Sequence, residues 1–229
     1  MSNTVTMTAQ TTDVLRSFET INKSIMFRGG QLLNSRSLGG NIIAEYQCEE
    51  NFPKPYAVYD LGQFLKGLSL FDSPFLNFND DNFVVIRNQK GGRSAKYFFS
   101  DPSIVESASP NRRLNFPEES VVIEFRITES DLQSLWRAAG VYELEDLLIE
   151  SSDNTVVISL FDSENETNNT YSITLDAQVS CEHKCHMKVE NLYTLMKGSY
   201  DVSVTDGIVT RWKNTNLDLV YYISTEDDE

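Results

Sequence analysis

Two of the three cysteines and both histidines of this 229-residue chain fall within six residues, CEHKCH at 181–186. Thiolates and imidazoles are zinc ligands. Cys181, His183 and Cys185 recur at every second position, so a strand would put them on one face and His186 on the other. Structural zinc sites pair one C-x-x-C knuckle with a second, and here Cys48 is the only other thiol. The segment therefore reads as a strand whose cysteines serve as small buried hydrophobes, with no metal bound. A histidine-dependent triad would have to use His183 or His186, and no G-x-S-x-G accompanies them. Phosphate-loop, dinucleotide and H-E-x-x-H patterns are absent from the sequence. The Gly-Gly pairs at 29, 39 and 91 suit hairpin turns. No catalytic residue, metal or cofactor is expected: the chain reads as a non-enzyme.

The elements around that segment organise the charges. Thirty-four acidic against nineteen basic residues give a net charge of −15, which by itself opposes nucleic-acid binding. Apolar spacing predicts helices over 11–25, 59–70, 128–140 and 186–198, with Thr12 or Asp13, Asp60, and Ser130 or Asp131 as caps and Gly140 as a stop. Short β-like runs separated by glycines fill the rest, including a strand pair around Lys90-Gly91-Gly92. The four helices carry Arg16, Lys23, Lys66, Arg137, Lys188 and Lys197 against Asp13, Glu19, Asp60, Glu129, Asp131 and Glu190. The helices are thus neutral, and the acidic excess lies elsewhere. Two readings follow: ordinary solvated helix faces, or one basic helical surface that holds a polyanion through sequence-independent phosphate contacts. With 40% hydrophobic residues a substantial core is expected. There is no apolar run of about 18 residues to span a membrane, and the start lacks an apolar signal core. An odd number of cysteines suits a reducing cytoplasm.

The plan repeats. T-x-x-x-L-x-S-F from Thr11 matches T-x-x-x-L-x-S-L from Thr128, and L-x-x-F-L-K-G at Leu61–Gly67 matches L-x-x-L-M-K-G at Leu192–Gly198, which pairs Lys66 with Lys197. The second match is spaced wider, so the second half carries extra residues, for which the polar SENETNNT at 163–170 is a natural place. An internal duplication follows: a flexible leader at 1–10, a first domain at 11–100, a proline-containing linker at 101–120, a second domain at 121–224 and an acidic tail at 225–229. The fold class is α+β, two similar domains each with two helices packed on antiparallel sheet.

TTDVLRSFETINKSIMFRGGQ (11–31), YDLGQFLKGLSL (59–70), DPSIV (101–105), Pro110-Asn111 followed by Arg112, Phe116-Pro117, and more loosely TESDLQSLWR and MKGSYDV, resemble the sliding clamps of T-even-type bacteriophages. The resemblance runs nearly end to end and is weakest over 141–187, where SENETNNT and CEHKCH depart from the family. It implies the DNA-clamp fold and a ring-shaped homotrimer whose helices line the hole and whose sheets pair edge to edge between subunits. Such a ring encircles double-stranded DNA without regard to sequence and tethers the phage replicative DNA polymerase for processive synthesis. An ATP-driven clamp loader places it, and a late sigma-like factor with a co-activator uses it in late transcription, all in the cytoplasm of the infected bacterial host. The six helical cations would face the DNA. By analogy with other clamps, a partner-peptide pocket near the linker would involve Ile104, Val105 and Leu114. The alternatives are a non-enzymatic β-rich phage structural or assembly protein, and a small zinc-dependent enzyme or zinc module at Cys181, His183 and Cys185.

Overall fold

The computed structural model describes residues 3–88, 92–105, 113–165 and 167–226. The Lys90-Gly91 turn, Pro110 to Arg112 of the linker, Glu166 and the last three tail residues lie outside them. The chain divides into two compact units, Met1–Arg113 and Leu114–Glu229.

The first unit runs β1 (Thr4–Thr6), α1 (Ala9–Ile21), β2 (Ile25–Phe27), β3 (Gly30–Arg36), β4 (Ile42–Phe52), β5 (Tyr56–Val58), α2 (Leu61–Leu68), β6 (Pro74–Asn77), β7 (Phe83–Asn88) and β8 (Ser94–Phe98). The second runs β9 (Val121–Ile127), α3 (Glu129–Tyr142), β10 (Asp146–Ser152), β11 (Thr155–Phe161), β12 (Tyr171–Val179), β13 (Lys184–Lys188), α4 (Val189–Leu192), β14 (Tyr200–Thr205), β15 (Val209–Asn214) and β16 (Leu219–Ser224). The order of elements is the same. So is the pairing: β1-β6-β7-β8 answers β9-β14-β15-β16, β3 with β4 answers β11 with β12, and β2 with β5 answers β10 with β13, all antiparallel. Helix α1 packs on β3 and β4 as α3 packs on β11 and β12.

The repeat is real, but its register differs from the sequence match. Thr6 faces Phe75, the second residue of β6, and Arg126 faces Asp201, the second of β14. Two residues on, Thr8 and Thr128 cap α1 and α3. Thr8, not Thr11, is therefore the counterpart of Thr128. A slip of three is nearly one helical turn, so the apolar stripes still coincide when the caps do not. Likewise Leu61 and Val189 open α2 and α4, which sets Thr194, not Lys197, opposite Lys66.

Local chemistry explains these boundaries. Thr8 Oγ1 accepts the Thr11 N–H at 3.1 Å, and the Thr8 N–H is held by buried Glu50 at 2.7 Å. The helix thus starts earlier than Thr12 or Asp13 would have set it. It stops at Ile21 because the Asn22 side chain bonds the Arg36 carbonyl and the Ser24 N–H instead. Asp60 caps α2 through the Gln63 N–H at 2.7 Å, as expected. Thr128 and Asp131 form a reciprocal capping box, and α3 passes through Gly140 to end on left-handed Glu143. Helix α4 has only four residues. Its predicted first turn is taken by β13, paired to β10 from Glu150↔Lys184 to Asp146↔Lys188, and Lys188 offers no acceptor to cap it.

The loose leader is also corrected: Val5 and Met7, alternating with threonines, are buried as β1 pairs with β6. At the other end the Thr225 and Glu226 N–H groups bond the Ile208 and His186 carbonyls. Val14, Leu15, Phe18 and Ile21 of α1 are buried, on the order of 8 kcal/mol of gross transfer energy. Phe27 stacks on Tyr56 at 4.4 Å and meets Phe64 of α2 edge-on. In the second unit Phe125 and Trp212 meet at right angles beneath the sheet.

Candidate nucleic-acid interface

Three of the six expected cations are not on helices. Lys23 follows the end of α1, Lys188 is the last residue of β13, and Lys197 sits in a bend beyond α4. The helices themselves hold Arg16, Lys66 and Arg137 against Asp13, Glu19, Glu129, Asp131 and Glu190. They are therefore mildly acidic rather than neutral. Asp60 falls outside them as the cap of α2, Lys23 because α1 ends at Ile21 with Asn22 as its cap, Lys188 because it is paired in β13, and Lys197 because α4 ends at Leu192.

The cations divide by partner. Arg16 lies 2.5 Å from Asp13, and Lys23 lies 3.5 Å from Glu19, both pairs exposed and worth at most about 1 kcal/mol. Lys188 is held more firmly. Its ammonium is 2.5 Å from Asp146, a carboxylate that also accepts the Ser163 N–H, and 4.0 Å from Glu226. Burial would raise the Asp146 pKa, but the Lys188 and Ser163 hydrogen bonds outweigh it and hold the carboxyl below its usual range. The Asp146 hydrogen bond raises Lys188. Lys66, Arg137 and Lys197 are exposed, with no ion pair among the described residues. Lys66 stands on α2, which packs against α1 so closely that a Cβ at Gly62 would lie 2.6 Å from Glu19 Oε1. Arg137 is on the outer face of α3, whose Trp136 donates its indole N–H to the Leu192 carbonyl.

Lys197 owes its place to neighbours that periodicity does not reveal. The Tyr200 hydroxyl donates to the Met196 carbonyl at 2.6 Å, and the Tyr221 hydroxyl accepts the Met196 N–H at 3.1 Å. Both tyrosines are fully buried, and burial drives the Tyr200 phenol pKa far up. On the other side Gly198, at φ +148°, lies so close to Asn214 that a Cβ would sit 2.7 Å from its Nδ2. The lysine therefore projects from a pinned bend rather than from a helix. Its sequence signal, the MKG motif, placed the residue on a helix, whereas it stands beyond the end of α4.

Of the expected pocket residues, Ile104 is exposed at 57% in a single 3₁₀ turn capped by Asp101, whereas Val105 is buried. Leu114 is half-buried and belongs to the second unit. The Cys181/His183/Cys185 strand is corrected as well. Strand β13 begins at Lys184, so only Cys185 lies on it, buried, while Cys181 is exposed. The backbone of His183 is tied to Ser151 in both directions. Among the described residues no group of three His, Cys, Asp or Glu is arranged to hold a metal. Burial beside Glu50 pushes the Cys48 thiol pKa up to about 12.

The sliding clamp of Vibrio phage KVP40 is 30% identical over 220 residues, which cover 94% of this chain and 96% of that protein. The chain belongs to the sliding-clamp family. The sliding clamp of Enterobacteria phage T4 is 32% identical over 174 residues (74% and 73% of the two chains), and that of Escherichia phage RB69 is 26% identical over 231 residues (97% of each). No protein-family model matches. Among solved structures, the proliferating cellular nuclear antigen of Entamoeba histolytica superposes with a TM-score of 0.75 at 12% identity over 99% of this clamp and 100% of that chain. PCNA from Thermococcus kodakaraensis gives 0.71 at 13% identity over 97% and 99%. At such identities these two matches speak to the fold, the α+β clamp architecture with antiparallel sheets. No helix among the described residues of this clamp is long and apolar enough to cross a membrane.

Proposed function

We propose that this clamp encircles duplex DNA and tethers a phage replicative DNA polymerase for processive synthesis. Membership of the sliding-clamp family over almost the whole chain carries the reading. The repeated order of elements supports it, because a duplicated subunit lets few chains close a ring of near-equivalent parts. Each unit also has a strand with edge to spare. Among the described residues, strand β8 pairs only with β7, and β12 pairs with β9 over only Ala177–Val179. A heterologous contact between the two edges would close a homotrimer and leave neither open to aggregation.

In this reading Lys66, Arg137 and Lys197 make the DNA contacts, which are phosphate-directed and independent of sequence. Arg16, Lys23 and Lys188 contribute less, being already neutralised by carboxylates. An ATP-driven clamp loader opens the ring in the cytoplasm of the infected host, and a late sigma-like factor with its co-activator also binds it. No step requires catalysis by the clamp. Near the linker, exposed Ile104 is the candidate to hold a partner's peptide, whereas Val105 is buried and Leu114 belongs to the other unit.

Loading on nicked circular DNA with ATP and the cognate loader tests the central reading. The clamp should co-migrate with the circle through gel filtration and be released when the circle is cut to a line. Equal retention on linear DNA would refute topological linkage. Omission of the late factors should leave polymerase stimulation intact and abolish clamp-dependent late transcription.

A further inference from the structure

We infer that a cavity of about 430 Å³ in the second unit, between the exit of α3 and α4, is a docking site for a short cationic peptide segment that inserts an apolar side chain. The inference is independent of the ring reading. Leu144 and Val189 floor the cavity at 3% and 2% exposure, and the Val189 N–H bonds the Glu145 carbonyl at 2.8 Å, closing its base. Tyr193 forms a wall and remains 50% exposed, although an aromatic ring with a polar tip is a frequent binding anchor. Just before Leu144, Val141 and Tyr142 are also exposed, at 67% and 40%. The size is at the small end of ligand pockets.

Charge selects the occupant. Glu145 and Glu190 form the exposed rim, and exposed Glu143 precedes them. The one lining cation, Lys188, is committed to Asp146 and Glu226. An apolar floor inside a carboxylate rim favours a Lys- or Arg-flanked apolar residue and repels phosphate.

Fluorescence anisotropy of the full chain with labelled peptide KKLFKK, and with EELFEE as its counterpart, tests this. Saturable binding of one KKLFKK per chain is expected, at least about tenfold tighter than EELFEE. Tyr193→Ala and Glu190→Lys should each weaken it several-fold with the urea midpoint unchanged, whereas Glu119→Lys, exposed in the second unit but outside the cavity lining, should not. Non-saturating binding, or equal weakening by Glu119→Lys, would reduce the effect to the general acidity of the chain and overturn the proposal. So would Tyr193→Ala weakening a duplex oligonucleotide instead of the peptide, which would give the surface to nucleic acid. A fall in sedimentation mass in either cavity variant would give it to a second copy of the chain.

Discussion

Lys66, Arg137 and Lys197 make no ion pair among the described residues, unlike Arg16, Lys23 and Lys188, and under the proposed function that leaves their charge available to a polyanion. Reversing all three to Glu should lower the amount of clamp loaded onto circular DNA at least tenfold and flatten the salt dependence of loading, while clamp already loaded stays linked to the circle. Reversing Arg16 and Lys23 should do less, and sedimentation should find neither variant altered in mass. Thiol chemistry divides as cleanly. Cys181 is exposed, whereas Cys48 and Cys185 are buried and the Cys48 thiol stays protonated at pH 8. Iodoacetamide at that pH should label one thiol of the native chain quickly and all three only after unfolding, as read by intact mass. Asp146→Asn should cost about 1.5–3 kcal/mol in urea unfolding at pH 7, since it leaves the Lys188 ammonium short of its main partner. The folded carboxyl binds its proton less readily than the unfolded one, so its contribution is present above about pH 4 and fades as pH falls through the folded value. The Asn variant should lack that part of the acid slope. None of this partnering was legible in the sequence, because Asp146 and Lys188 stand 42 residues apart. The six cations were legible, as were the helical spacings that pair Arg16 with Asp13 and Lys23 with Glu19; the distant partner of Lys188 was not.

Elements were easier to read than their ends. The stripes of α1, α2 and α3 follow from apolar spacing, and Asp60 capped where a side-chain oxygen was expected. The errors cluster where a tertiary hydrogen bond outranks local preference. Glu50 draws the start of α1 back to Thr8, Asn22 ends it on Arg36, and β10 takes the predicted first turn of the last helix into a sheet. A cap of this kind can be measured: Thr128→Ala removes one half of the α3 capping box and should cost about 1 kcal/mol. The bend carrying Lys197 should be less forgiving. Gly198→Ala meets both a backbone angle that L-residues avoid and the Asn214 amide, whose oxygen also receives the Asn216 and Leu217 N–H groups. A loss of about 1–3 kcal/mol is expected in thermal or urea unfolding, together with less efficient loading onto DNA at temperatures where the fold persists.

At the scale of the whole chain, the duplication was visible as two short motif matches, and the structure replaces both registers while keeping the conclusion. Sedimentation at micromolar concentration should give the mass of three chains, and a stable monomer there would remove the basis for a closed ring. One consequence of the repeat lies in its joints. If the proposed ring of duplicated subunits forms, every second seam would be bridged by the polypeptide itself, while the seams in between would depend on non-covalent edges alone. A motor opening such a ring at any seam could not shed half a subunit, because the two halves would stay covalently tethered.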